Sequence, residues 1–89
     1  MRKKQDWIVY MLECGNGNLY TGITKDIDRR IGEHRSGRGA RFTRAFGVEK
    51  LVYKEIRMSR SAALKREAEI KRLKRKEKLL LIRSKDIDI

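Results

Sequence analysis

A carboxylate interrupts what would otherwise be a continuous apolar helix face. Late in the 89-residue chain, Ala63, Leu64, Ala68 and Ile70 recur at helical spacing, and Glu67 falls inside the arc they define. A charge on an inward-facing arc is costly unless a cation accompanies it. Two chemistries meet that demand: a salt bridge to Arg30 or a neighbouring lysine, or oxygen ligation of a hard divalent ion. Earlier in the chain, Arg30 and His34 lie one helical turn apart on the border of a face marked by Ile27 and Ile31. An arginine at such a border can simply snorkel to water. His34 is the single histidine; a lone histidine is commonly a hydrogen-bonded structural residue and makes no metal site by itself. Tyr10 and Tyr20 sit on two successive extended segments, where sheet packing alone would account for both, and Tyr53 carries less signal still. Glu69 faces outward.

The elements that must position these residues are legible. Residues 7–14 (WIVYMLEC) are rich in aromatic and β-branched types and read as a strand. Gly15, Asn16, Gly17 and Asn18 supply the tight reversal, so Leu19 to Thr24 forms an antiparallel second strand. Gly22 within it marks a close approach of backbone or substrate. A helix follows, with Thr24 as its cap and Asp26 in its first turn, running to about Ser36 and stopped by Gly37 and Gly39. Residues 38–47 are either a short helix or a basic loop with Phe42 anchored inward. Val48 to Ile56 alternates as a third strand. Ser59 caps a long helix from residue 60 to about 75, and a further helical segment spans roughly Lys76 to Ile82. These elements predict one α+β domain: a small three-stranded antiparallel sheet flanked by helices, which are expected on one sheet face. A basic arm (residues 1–6) precedes the domain (7–82), and a loose tail (83–89) follows.

Composition sets the limits on function. At 10.5 kDa, folding removes only about 60–65% of the unfolded surface, enough for one modest core. No apolar run approaches the roughly 20 residues that span a bilayer. The single cysteine, Cys14, excludes an intramolecular disulfide and a multi-cysteine zinc site, and a cytoplasmic, reducing compartment is the expectation. Lysine and arginine total 24 against 12 acidic residues, a net charge of +12. That imbalance points to a polyanionic partner, with nucleic acid ahead of an anionic membrane surface. The last helices carry basic residues around most of their circumference.

Taken in order, these residues resemble the GIY-YIG nuclease superfamily in its small stand-alone form, the UPF0213 or YhbQ-like group. Ile8-Val9-Tyr10 is similar to the first motif half and Tyr20-Thr21-Gly22 to the second. Residues 22–31 resemble the stretch leading to the family's arginine, with His34 one turn later. Residues 39–43, 63–67 and 70–73 resemble the small subgroup in particular. The likeness covers about residues 7–82. It implies a general base or water-positioning role for Tyr20, orientation of water or phosphate by Tyr10, and phosphate binding by Arg30. It further implies that His34 assists the tyrosine and that Glu67 holds one Mg²⁺ or Mn²⁺, weakly in the absence of substrate. Lys25, Arg29, Arg41 and Lys71 are candidate nucleic-acid contacts. The implied activity is metal-dependent hydrolysis of DNA phosphodiester bonds, on nicked, branched or damaged forms, with DNA ahead of RNA and a targeting protein as a further partner. The alternatives are a non-catalytic nucleic-acid binding module on the same scaffold and a basic protein-interaction domain.

Overall fold

A computed structural model describes residues 6–38 and 47–87. Strand β1 (Trp7–Cys14) turns into β2 (Leu19–Thr24). The reversal is held by Cys14 N–H donating to the Asn18 carbonyl at 2.9 Å and Gly17 N–H donating to the Cys14 carbonyl at 2.8 Å. Gly17 takes φ +84° there, a conformation open to glycine at no steric cost. Strand β3 (Val48–Arg57) pairs with the other side of β1. The sheet is antiparallel throughout, in the order β2-β1-β3.

Helix α1 (Ile27–Arg35) follows β2, and α2 (Arg60–Arg72) and α3 (Arg75–Ile87) follow β3. The helices were expected on one sheet face, but they occupy both. Ile27 and Ile31 of α1 pack against Ile8, Tyr10 and Leu12. Ala63 and Ile70 of α2 join Val9, Met11 and Tyr53 on the opposite face, with Leu81 and Ile82 of α3 against them. The reason lies in β1: Ile8, Val9, Tyr10, Met11 and Leu12 are each at most 3% exposed. A strand with consecutive buried residues needs cover on both faces, and its unbroken apolar run is the corresponding sequence signal.

Two helix ends also differ from expectation. The cap of α1 is Asp26, not Thr24: the Asp26 carboxylate accepts from Arg29 N–H at 3.2 Å. Thr24 is otherwise engaged, its hydroxyl accepting from Asp26 N–H at 3.1 Å and donating to the Asp26 carbonyl at 3.2 Å. The C-terminus closes as foreseen at Gly37, whose φ is +83°. Arg38 N–H reaches the Glu33 carbonyl at 2.8 Å and Gly37 N–H reaches that of His34 at 3.3 Å, the paired bonds of a Schellman cap. Gly39, Phe42 and the rest of residues 39–46 lie outside the described residues. Ser59 caps α2 as expected, accepting from Ala62 N–H at 3.1 Å. Between α2 and α3 the chain breaks at Leu73, and Glu77 restarts it by accepting from Lys74 N–H at 2.9 Å. Expected to end near Ile82, α3 continues to Ile87, because no glycine or proline follows to stop it.

Candidate active site

On the α1-covered face, strand register sets two tyrosines side by side. Tyr10 of central β1 pairs with Gly22, and Tyr20 of β2 pairs with Leu12, so the tyrosines are diagonal neighbours. Their ring centroids are 6.3 Å apart. A Cβ on Gly22 would lie 2.7 Å from the Tyr10 hydroxyl, 2.8 Å from its Cζ and 3.1 Å from Tyr20 Cε2. Gly22 is therefore the floor on which both phenols rest; a close approach of backbone or substrate was expected there, and it is the Tyr10 side chain that makes it.

Helix α1 brings the next two groups. His34 sits in its last turn, 1% exposed, with its ring 6.0 Å from Tyr10 and 5.1 Å from Tyr20, both edge-on. The Tyr10 hydroxyl and His34 Nε2 are 2.9 Å apart. Burial raises the Tyr10 pKa to about 12, offset in part by a hydrogen bond from Arg30, while the Tyr20 and Glu67 side chains push it further up. Burial also lowers the His34 pKa, and the Arg30 charge adds to that. Both shifts favour a neutral pair in which the phenol donates to Nε2 and the imidazole proton resides on Nδ1.

Arg30, one turn earlier, also hydrogen-bonds the Tyr10 hydroxyl. Its Nη1 donates to Glu33 Oε1 at 3.0 Å, and Arg29 Nε stands 3.8 Å from Glu33 Oε2. The Arg30 contact holds the Glu33 carboxyl below the usual carboxylate range. Sequence reading missed Glu33 as the carboxylate that orients Arg30, although its i,i+3 spacing was a usable signal. A guanidinium carries five donors, so Glu33 leaves capacity for a phosphate.

Glu67 on α2 is half-buried, its side chain 18% exposed, and its Oε2 lies 3.5 Å from Lys71 Nζ. The lysine alternative foreseen for Glu67 is thus realised, and the pair with Arg30 is not formed. The remaining candidates are placed as follows. Lys25 Nζ lies 5.6 Å from the Trp7 ring centroid, shared with Arg60 at 5.9 Å. Arg29 is largely in solvent, and Arg41 lies outside the described residues. Tyr53 is buried near a second carboxylate cluster that sequence spacing could not signal. There Glu55 bridges Arg66 at 2.6 Å and Arg57 at 2.8 Å.

No cluster of three or more histidine, cysteine or acidic side chains occurs among the described residues. The donor set still fits one magnesium-like ion: such ions keep several waters and need only one or two carboxylates plus substrate oxygens. Glu67 is the carboxylate on α2 whose charge is felt at Tyr10, and the lysine that pairs with it is more than half exposed and free to withdraw.

Residues 6–79 match the model of the GIY-YIG catalytic domain. The chain belongs to the GIY-YIG family. A UPF0213 protein of Staphylococcus saprophyticus is 47% identical over 74 residues, covering 83% of this chain and 90% of that one. A UPF0213 protein of Staphylococcus aureus is 44% identical over 77 residues, covering 86% and 94%. The solution NMR structure of a UPF0213 protein from Bacillus halodurans shares the fold with a TM-score of 0.59 at 44% identity, covering 90% of this chain and 85% of that one. Within this GIY-YIG chain the tyrosine of each motif half falls in the cluster with His34 and Arg30. No helix of the described residues is long and apolar enough to cross a membrane.

Proposed function

We propose that this GIY-YIG chain is a divalent-metal-dependent endonuclease that hydrolyses phosphodiester bonds of DNA. The observation that carries the reading is the convergence of Tyr10, Tyr20, His34 and Arg30 on one sheet face, with Glu67 in electrostatic reach. Arg30 binds the scissile phosphate with the donors that Glu33 leaves open and neutralises charge developing on the phosphoryl oxygens. Tyr20 positions the attacking water beside the phosphate. Tyr10 stays protonated at neutral pH, its pKa near 12, and so acts as a fixed donor rather than a base. His34, neutral and buried, accepts from Tyr10 and locks its ring. Glu67 would hold one Mg²⁺ or Mn²⁺ ion, which would supply further stabilisation of phosphoryl charge. The chain's charge of +12 brings the polyanion to the site.

The test is cleavage of labelled duplex, single-stranded, flap and four-way-junction DNA in Mg²⁺ and Mn²⁺, with Glu67→Ala and Arg30→Ala purified from the same host. The expected outcome is product from the unmodified protein, a loss of about 10²–10³-fold or more in each variant, and binding largely retained. Equal product from Glu67→Ala would overturn the metal assignment. Binding without product from any protein would refute the nuclease reading and leave the basic surface as the function.

A further inference from the structure

Resting on that reading, the inference concerns where the substrate strand goes beyond the reacting phosphate. The tip of the β1–β2 turn and the start of α3 enclose an open cleft of about 250 Å³ lined by Asn18, Leu19, Arg75 and Lys78. At about 30 Å³ per water, the volume exceeds what a phosphodiester group and a few waters require. Leu19 directly precedes Tyr20 on β2, which is an edge strand with one side unpaired. From the other direction, Lys71 lies one turn after Glu67, and Arg75 follows four residues later across the helix break. The cleft thus borders the β2 edge at the residue that precedes Tyr20 and lies one helix break beyond Glu67.

Its charges are uncommitted. Lys71 is engaged by Glu67, whereas neither Arg75 nor Lys78 is ion-paired with another described residue. Lys78 is half-buried, so its stem lies against the protein while its ammonium can reach an anion in the cleft. The backbone of Asn18 is spent on the turn, its carbonyl accepting from Cys14 and its N–H donating to Asn16 Oδ1. The Asn18 side-chain amide remains available as a neutral donor to a phosphate oxygen.

We infer that Arg75, Lys78 and Asn18 form a second phosphate subsite, which holds the nucleic-acid backbone where it leaves the reacting centre along β2. The subsite contacts phosphate and no base edge, so it sets the register and direction of the strand without selecting sequence.

The experiment measures association of fluorescein-labelled duplex and single-stranded DNA in EDTA, where no cleavage intervenes, across salt concentrations from 50 to 200 mM. Arg75→Gln/Lys78→Gln is compared with Lys76→Gln/Arg83→Gln, which removes the same charge from a different stripe of α3, and with Arg75→Gln alone. Thermal melts establish that each variant is folded. Losing two phosphate contacts lowers the slope of log affinity against log salt by about 1.4–1.8. The wild-type affinity then falls roughly 7–12-fold more over that range than the affinity of the double variant, while Lys76→Gln/Arg83→Gln keeps the wild-type slope and Arg75→Gln shows about half the change. Equal flattening by both double variants, or none by Arg75→Gln/Lys78→Gln, would overturn the subsite while leaving a cleaving enzyme intact. No association by the unmodified protein at 50 mM salt would overturn the subsite and the nucleic-acid reading together.

Discussion

Replacing Gly22 by alanine tests whether the two tyrosines are held where the reasoning needs them. The new Cβ would stand 2.7 Å from the Tyr10 hydroxyl and 2.8 Å from its Cζ, closer than carbon atoms approach in folded proteins. Tyr10 is fully buried on the central strand and has no space to withdraw. Edge strand β2 must shift instead, and Tyr20 shifts with it. Overpacking of this kind costs about 1–3 kcal/mol. Alanine's smaller unfolded-state entropy returns about 0.4–1 kcal/mol. The net is about 1–2 kcal/mol, against a total stability on the order of 4–13 kcal/mol for a chain this size. For a domain of this length that lowers Tm by roughly 4–16 °C. The assay is a circular-dichroism melt of Gly22→Ala, Tyr10→Phe and the double variant. Tyr10→Phe removes the nearest clashing atom and the hydrogen bond, so the double variant should lose less than the sum of the single losses, by about 1 kcal/mol. A Gly22→Ala melt within 2 °C of wild type, or strict additivity, would refute the packing argument.

Two further outcomes follow from the same region. Because burial raises the Tyr10 pKa from 10 to about 12, the unfolded chain releases that proton first as pH rises. The stability difference between wild type and Tyr10→Phe should therefore be constant below pH 10 and shrink toward pH 12 by as much as about 2.7 kcal/mol; urea titrations at stepped pH measure it, and a flat difference would contradict the shift. On the opposite sheet face, the buried Thr21 hydroxyl has no hydrogen-bond partner among the described residues. Thr21→Val keeps the branched shape and removes the stranded polar atom, so it should raise stability by about 1 kcal/mol in the same titrations. A loss in its place would mean that the hydroxyl is satisfied by bound water.

Local signals reached much of this molecule. Strand β1 and the glycine-asparagine reversal announced themselves through residue type, and Ser59 through its position before an apolar-periodic run. Contacts between distant segments were out of reach. Nothing in the spacing of Glu55 and Arg66 reveals that a strand and a helix bring them to 2.6 Å. The assignment of Thr24 as the α1 cap failed because two neighbouring residues could each accept the bond, and backbone geometry chose Asp26. Placing all helices on one sheet face overlooked that consecutive apolar residues in β1 must bury in both directions. Within the site, Arg30 and His34 were legible as a pair from helical periodicity, and Glu33 was overlooked although its i,i+3 spacing to Arg30 carried the signal. Glu67 was legible as an anomaly; which cation it meets was a question of packing.

The sheet order carries one more consequence. Tyr10 rides on the strand flanked on both sides, where amide hydrogens exchange only through near-global opening, whereas Tyr20 rides on a strand with one free edge that opens locally at lower free energy. The pair therefore joins the most protected part of the molecule to one that frays early. On warming or in mild denaturant, Tyr20 departs first, and the activity proposed for this site is lost well before the cooperative melt that circular dichroism records. The gap between those two temperatures gauges how tightly α1 and a bound strand of nucleic acid clamp that free edge.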